Sequence, residues 1–169
     1  MKALLLTLLG LVCADLSTTD LSQISGEWKT LYIATNTPEK TTKNGPFRHT
    51  AHIINYDAEN GDVTYHIFAR ANGQCLEEYA HGKWVEGNVF VLKYEGATLS
   101  VFTDISEDSL VGYNVNVEDN VVSILTFLFS KSNHANDQDF EKFKELTQKM
   151  DIPEGNILDF TNIEDCPEN

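Results

Sequence analysis

Residues 88–129 read NVFVLKYEGATLSVFTDISEDSLVGYNVNVEDNVVSILTFLF, a succession of short runs of β-branched and aromatic residues separated by turn residues. The runs recur at intervals of about ten residues, and their apolar residues show no helical period. Two of the separating segments, Glu95-Gly96 and Glu118-Asp119-Asn120, carry residues that tolerate a positive φ or form local turns. This pattern predicts an antiparallel meander.

The same alternation of strand-forming runs and turns extends upstream as far as Gly26. Eight strands are predicted in all: Gly26–Thr35, Phe47–Tyr56, Val63–Arg70, Cys75–Trp84, Asn88–Tyr94, Thr98–Thr103, Ser109–Val117 and Val121–Phe129. Eight up-and-down strands with short turns close into a barrel, because closure removes exposed edges, and that size leaves room for one small ligand. We therefore predict an all-β fold, an eight-stranded antiparallel up-and-down β-barrel.

After the last strand the apolar residues take up the period of a helix. One face of it is marked by Phe140, Phe143, Leu146, Thr147 and Met150. Asn136 or Asp137 is placed to cap its start, and Pro153 follows its end. This C-terminal helix must bury its apolar face on the outside of the barrel. We predict that Leu99 and Val101, two apolar residues on the outer face of one strand, form part of its docking surface.

Residues 1–14 have the pattern of a secretory signal peptide. An apolar run from Ala3 to Val12 follows Lys2, and the small residue Ala14 stands at the expected cleavage position. The run is too short to span a membrane, which takes about 20 apolar residues. We expect a single mature domain, residues 15–169, that is secreted and extracellular.

The charge balance and the absence of catalytic motifs exclude several classes of function. With 12 basic and 26 acidic residues the chain has a net charge of −14, which repels phosphate backbones and anionic lipid heads. We therefore expect neither nucleic acid binding nor membrane insertion. The sequence has no nucleophile elbow, phosphate loop or His-Glu-x-x-His motif, so we expect no catalytic residue, no enzyme activity and no cofactor.

The histidines show no tight metal-ligand spacing and predict no metal site. They stand at His49, His52, His66, His81 and His134. By strand alternation His49 and His52 are expected on opposite faces. Of the three cysteines, Cys13 belongs to the predicted signal peptide, which leaves Cys75 and Cys166 to pair in an oxidising compartment.

Strand alternation predicts which side chains point into the barrel, because successive residues face opposite sides. The inward set comprises Phe47, Ile53, Tyr65, Ile67, Ala80, Phe90, Leu92, Tyr94, Leu125, Phe127 and Phe129. Asn114 is also expected inside, where an unpaired amide costs about 1–3 kcal/mol unless a ligand or a buried water contacts it. An interior this aromatic is compatible with a ligand cavity and equally with a filled core.

Several short motifs resemble those of the lipocalins, and of their mammalian odorant-binding protein and aphrodisin-like pheromone carrier subgroup in particular. They are Gly26-Glu27-Trp28, Asn44-Gly45-Pro46-Phe47, Tyr94-Glu95-Gly96, Asn114-Val115-Asn116, Ile152-Pro153 after the helix, and Cys166-Pro167. The resemblance covers the whole mature chain. It implies an eight-stranded calyx with a C-terminal helix, reversible binding of volatile apolar odorants or pheromones, and secretion.

The resemblance also implies roles for individual residues. Trp28 would close the narrow end of the barrel, and Cys75 and Cys166 would form the family disulfide. Phe47, Ala80, Tyr94, Thr98, Asn114, Leu125, Phe127 and Phe129 would belong to the cavity wall. Together with the inward set, this gives the predicted ligand-binding residues: Phe47, Ile67, Ala80, Phe90, Leu92, Tyr94, Thr98, Asn114, Leu125, Phe127 and Phe129.

Two other functions stay open at this point. One is a lipocalin-type isomerase or synthase that acts on a lipid through a free thiol in the cavity. The other is a signalling lipocalin with a filled barrel that acts through its surface. The expected partner is a small hydrophobic ligand, and both a receptor and the choice between a monomer and a weak homodimer are left open.

Overall fold

The computed structural model describes residues 20–163. The predicted signal peptide, residues 1–14, and Cys166 lie outside them. The strands are β1 Gly26–Thr35, β2 His49–Asp57, β3 Asp62–Ala71, β4 Gln74–Glu86, β5 Val89–Lys93, β6 Ala97–Ile105, β7 Ser109–Glu118, β8 Val121–Ser130 and β9 Leu158–Asp159. One α-helix, α1, spans Asp137–Lys149, and short 3₁₀ turns span Leu21–Ile24, Pro38–Lys40 and Glu154–Asn156.

The first eight strands form a closed antiparallel barrel. Each pairs with the next along the chain, and β1 pairs with both β2 and β8, which closes the sheet. The short β9 adds to β1 at Tyr32 and Ile33. All eight predicted strands are confirmed, with small differences at their ends, and so is the predicted C-terminal helix.

The tight turns explain why consecutive strands pair. Asn72 and Gly73, Glu95 and Gly96, and Asp119 and Asn120 all have positive φ angles, the conformation that joins two antiparallel strands with matching twist. At Gly96 a Cβ atom would come within 2.4 Å of the Val117 carbonyl oxygen, so the β5–β6 turn accepts no other residue without moving its neighbour strand.

A β-bulge in β2 overturns part of the predicted inward set. The pairing of β2 with β3 shifts between His49 and Ala51, so one extra residue stands on β2 and the alternation is reset. His52 and Ile54 therefore point inward and are buried, whereas Ile53 is half-buried on the outer face. The predictions that Ile53 points inward and that His49 and His52 lie on opposite faces are both wrong for this reason.

The helix packs outside the barrel over β1, β7 and β8. Its start is capped by Asn136, whose Oδ1 accepts a hydrogen bond from the Asp139 backbone N–H at 2.8 Å. Its buried face forms one cluster with the outer face of the sheet through Phe143, Leu146, Leu31, Val111 and Leu128.

The predicted docking surface for this helix is wrong. Leu99 and Val101 lie on β6, one strand beyond the cluster, and are half-buried there. The outer faces of β1, β7 and β8 provide an apolar surface of their own. The apolar face of the helix is buried against it, without β6. Lys142 of the helix forms an ion pair with Asp104 of β6 at 3.2 Å.

Trp28 lies at the covered end of the barrel. Its side chain is 1% exposed, and its indole N–H donates to the Ile24 carbonyl oxygen at 2.8 Å. The 3₁₀ turn Leu21–Ile24 packs against β2 and β6, on opposite sides of the barrel, and so spans this end. Lys131 Nζ lies 5.1 Å from the Trp28 ring. In residues 20–163, no helix combines the length and apolar character needed to cross a membrane.

Candidate functional site

A small cavity lies between the walls of the barrel. Its lining consists of Phe47, His49, His52, Tyr65, Ile67, Ala80, Leu92, Tyr94, Thr98, Ser100, Asn114, Phe127 and Phe129. The cavity volume is about 40 Å³, within about 410 Å³ of atom-free space that reaches out to solvent. A volume of that size has room for about three water molecules.

Most of the residues predicted to bind a ligand come together on this wall. Those that line the cavity are Phe47, Ile67, Ala80, Leu92, Tyr94, Thr98, Asn114, Phe127 and Phe129. Phe90 and Leu125 are buried in the same core but do not belong to the lining. Phe90 meets Phe102 and Tyr56 edge-on, at ring-centroid distances of 6.0 and 5.3 Å, so it fills the barrel beside the cavity.

Sequence reasoning did not assign four lining residues as ligand-binding: His49, His52, Tyr65 and Ser100. Alternation did place Tyr65 in the inward set together with Ile67, but Tyr65 was not included among the predicted ligand-binding residues. His52 could not be found in this way, because the bulge in β2 moves it to the inner face. Its imidazole lies over Phe129, with 4.5 Å between ring centroids.

Aromatic rings form one side of the cavity. Phe127 and Phe129 stack at a centroid distance of 4.3 Å and an interplanar angle of 13°, and Phe102 meets Phe127 edge-on at 5.8 Å. These rings are buried and belong to the main core cluster. They offer a flat, rigid apolar surface to anything that enters.

Tyr94 lines the cavity and makes three polar contacts near its open end. Its hydroxyl oxygen lies 2.6 Å from the Pro46 carbonyl oxygen, 2.7 Å from Glu78 Oε2 and 2.9 Å from His49 Nε2. The single hydroxyl hydrogen serves the two acceptors, Pro46 and Glu78, which leaves His49 Nε2–H to donate to the tyrosine oxygen. Phe47 packs edge-on against the Tyr94 ring at 5.6 Å.

Burial determines the protonation states of Tyr94, His49 and His52. It raises the pKa of Tyr94, and the adjacent Glu78 raises it further, so the hydroxyl keeps its proton. Burial also lowers the pKa of His49 to about 4 and that of His52 well below its ordinary value. Both imidazoles are therefore neutral near pH 7.

The rim of the cavity is acidic. Burial, followed by the nearby carboxylates Glu118 and Glu78, raises the pKa of Glu95. Lys40 Nζ is bonded to Asn116 Oδ1 at 2.9 Å and to Glu118 at 3.2 Å. The positive charge of Lys40 is therefore paired with the Glu118 carboxylate at the rim.

Three residues that line the cavity each carry a buried polar atom with no hydrogen-bond partner. The atoms are His52 Nδ1, Tyr65 Oη and Asn114 Oδ1. Asn114 lies inside the barrel, as its position on β7 predicts. Thr98 differs from these three, because its hydroxyl donates to the Tyr94 carbonyl oxygen at 3.0 Å and Asn116 Nδ2 donates to it at 3.0 Å.

Cys75 is disulfide-bonded, and its predicted partner, Cys166, lies outside the described residues, so the pairing of these two stays a prediction. Within residues 20–163, no three His, Cys, Asp or Glu side chains are grouped so as to hold a metal ion.

A closed eight-stranded antiparallel barrel with a cavity inside and one helix packed outside defines a calyx. Residues 25–164 match the profile of the lipocalin / cytosolic fatty-acid binding protein family, and the chain belongs to this family. The odorant-binding protein of Bos taurus is 34% identical over 149 residues, which cover 88% of this chain and 93% of that protein.

Solved structures agree with this assignment. A dog lipocalin allergen superimposes with a TM-score of 0.82 at 30% identity, covering 89% of this chain and 100% of the allergen. A complex of bovine odorant-binding protein with undecanal has a TM-score of 0.61 at 31% identity, covering 90% and 98% of the two chains. The predicted fold and the resemblance to mammalian odorant-binding proteins are confirmed.

Proposed function

We propose that this protein is a secreted carrier that reversibly binds a small hydrophobic, volatile molecule, an odorant or a pheromone, in the cavity of its barrel. The observation that carries the proposal is the cavity inside the barrel, whose apolar wall includes Leu92, Phe127 and Phe129. One relative supports it: the bovine protein is named for odorant binding, and a solved structure of bovine odorant-binding protein holds undecanal. Signal cleavage after residue 14 and a Cys75–Cys166 disulfide belong to the same proposal, and the disulfide-bonded state of Cys75 fits an oxidising compartment.

Apolar burial supplies the affinity in this account. A ligand that buries some 300 Å² of apolar surface gains roughly 7.5 kcal/mol at about 25 cal/mol per Å², before the entropic costs of binding. Without those costs, this free energy corresponds to a dissociation constant in the micromolar range. Apolar contacts distinguish ligands of different shape only coarsely. Selectivity between ligands with different polar groups therefore depends on the few polar side chains of the wall.

Entry requires the wall to move, because a volume of about 40 Å³ is smaller than a ligand of about ten carbons. Tyr94 is the side chain to move, since it lines the cavity and also contacts Pro46, Glu78 and His49 at the rim. Rotation of Tyr94 would break these contacts and widen the cavity towards solvent. The ligand's buried apolar surface offsets their loss.

A lipocalin-type synthase that uses a cavity thiol is disfavoured. Cys75 is disulfide-bonded and lacks the thiolate that such a nucleophile needs. It also does not belong to the lining of the cavity. The bovine odorant-binding protein and the dog lipocalin allergen are named as a binding protein and an allergen, not as enzymes.

The proposal is tested by titrating the mature protein with 1-aminoanthracene, a fluorescent apolar probe, and displacing the probe with volatile alcohols, aldehydes and ketones. We expect one site per chain with micromolar affinity. The variant Ala80→Leu adds volume to the cavity wall and is expected to weaken probe binding about tenfold or more. The matched control is Ala97→Leu, which makes the same change at an exposed position of β6.

The control variant is expected to bind like the parent. Uptake of no probe by a parent protein that circular dichroism shows to be folded would contradict the proposal and favour a filled barrel that acts through its surface. Equal binding by the parent and Ala80→Leu would place the probe outside the cavity and contradict it as well.

A further inference from the structure

Three buried polar atoms without partners belong to residues that line the cavity. They are His52 Nδ1, Tyr65 Oη and Asn114 Oδ1. The His52 and Tyr65 side chains are only 5% and 6% exposed. Native proteins rarely leave such groups unpaired, because burying a polar group without a hydrogen-bond partner costs its desolvation free energy.

The three residues stand on three different strands of the barrel. His52 on β2 and Tyr65 on β3 meet at right angles, with 6.3 Å between ring centroids. Asn114 on β7 stands beside Ser100 on β6 in the strand register. Burial raises the pKa of Tyr65, and the Ser100 hydroxyl opposes this rise without meeting hydrogen-bond geometry.

The protonation of these groups fixes what they can offer. Because burial raises the pKa of Tyr65, its hydroxyl keeps the proton and can donate it. Because burial lowers the pKa of His52, the ring is neutral and offers Nδ1–H when that nitrogen carries the hydrogen. Asn114 Oδ1 can only accept. In the tautomer with the hydrogen on His52 Nδ1, the wall presents two donors and one acceptor.

A hydroxyl group is the complement of this set, since it has one hydrogen to donate and two lone pairs that accept. We infer that the cavity selects a neutral ligand with a hydroxyl group, a phenol or an alcohol, whose oxygen accepts from Tyr65 and His52 and whose hydrogen is donated to Asn114. This inference rests on the proposed function and names the ligand class for the same cavity. The stacked rings of Phe127 and Phe129 favour the phenol.

The same geometry disfavours two neighbouring ligand classes. An ether or a carbonyl group accepts from Tyr65 and His52 but cannot donate to Asn114 Oδ1, which stays unpaired. A carboxylate would have to pass Glu78, Glu95 and Glu118 at the rim. Among the described residues that line the cavity, none is a lysine or an arginine that could neutralise it.

A matched ligand series tests the inference by isothermal titration calorimetry on the mature protein. The series consists of 4-propylphenol, its methyl ether 4-propylanisole, propylbenzene, and 4-propylbenzoate at pH 7.4. We expect 4-propylphenol to bind about tenfold or more tightly than each of the others, the scale set by one unpaired buried group. A purely apolar cavity gives the opposite order, because the ether and the hydrocarbon are more hydrophobic than the phenol.

Variants locate the selectivity. Tyr65→Phe and Asn114→Leu each remove one of the unpaired groups, and both are expected to lose most of the preference for the phenol while binding propylbenzene as well as the parent or better. The matched control is Thr30→Val, which removes another buried hydroxyl without a partner, one that lines a separate cavity. The control is expected to keep the parent's ratio of phenol to ether affinity. Circular dichroism and thermal melting report that each variant is folded.

The outcomes separate this inference from the proposed function. If the parent binds propylbenzene and the ether at least as tightly as the phenol, the hydroxyl selectivity is refuted and the carrier function stands. If the folded parent binds none of the four compounds, the carrier function fails and the selectivity fails with it. Loss of the phenol preference in Thr30→Val would also refute the role of the cavity groups.

Discussion

Tyr94 Oη lies 2.7 Å from Glu78 Oε2, so a side chain of the cavity wall is tied directly to a carboxylate at the rim. The same hydroxyl contacts the Pro46 carbonyl oxygen and His49 Nε2. Because the Tyr94 ring also lines the cavity, these contacts at the rim hold part of the wall in place. The exchange of ligand is therefore coupled to a small set of polar contacts.

Replacing Tyr94 by phenylalanine tests this coupling. Tyr94→Phe keeps the ring but removes the contacts with Pro46, Glu78 and His49, so we expect association of 1-aminoanthracene to accelerate about three- to tenfold, the scale of one lost hydrogen bond. Stopped-flow fluorescence measures the rate. Tyr79→Phe, which changes a tyrosine that is exposed on the outside of β4, serves as the control and is expected to leave the rate unchanged. An unchanged or slower rate in Tyr94→Phe would argue against a mouth held by this residue.

The buried histidines predict a loss of stability on acidification. His49 has a pKa of about 4 in the folded protein and an ordinary value of 6.5 when unfolded. The unfolded state therefore binds the proton more readily between these values, and its stabilisation makes the free energy of unfolding fall as the pH is lowered from 6.5 to 4. For His49 the loss is about 3 kcal/mol over this window, and the lowered pKa of His52 acts in the same direction.

Urea denaturation across this pH window, compared between the parent and His49→Gln, isolates that contribution. The variant is expected to lose less stability than the parent between pH 6.5 and 4. His134→Gln, at an exposed position before the helix, is the control and is expected to keep the parent's pH dependence. Identical slopes in all three proteins would mean that His49 is not held neutral by burial.

Adjacent isoleucines on β2 report the position of the bulge. Ile54 is fully buried and points inward, whereas Ile53 is half-buried on the outer face. We expect Ile54→Ala to lower the free energy of unfolding by about 2–5 kcal/mol and Ile53→Ala by clearly less, because only the first leaves a cavity in the core. Chemical denaturation measures both. The reverse order would show that β2 keeps a regular alternation and that His52 points outward.

The number and order of the strands could be predicted because the information is local. Turn residues such as Asn72-Gly73 and Glu95-Gly96 mark the ends of strands, and both pairs adopt the positive φ angles that such turns need. Regular alternation then placed Leu92, Tyr94, Phe127 and Phe129 on the cavity wall. Closure followed from the physical cost of exposed edges.

The remaining features depend on contacts between distant parts of the chain. The bulge at His49–Ala51 is defined by its pairing with β3, and it brings His52 into the cavity. The helix packs on β1, β7 and β8 because the outer faces of these three strands together form an apolar surface. The two apolar residues on β6, Leu99 and Val101, gave no indication of that surface. Phe90 has the inward parity that was predicted, but its packing against Phe102 keeps it off the cavity wall.

The most direct test of the account is an NMR measurement of intermolecular contacts between the mature protein, labelled at its methyl groups, and a bound volatile alcohol such as octan-1-ol. The account predicts nuclear Overhauser contacts from the ligand to the methyl groups of Ile67, Ala80 and Leu92, which line the cavity. Contacts confined to Val91 and Val117, which are exposed on the outer surface, would contradict it.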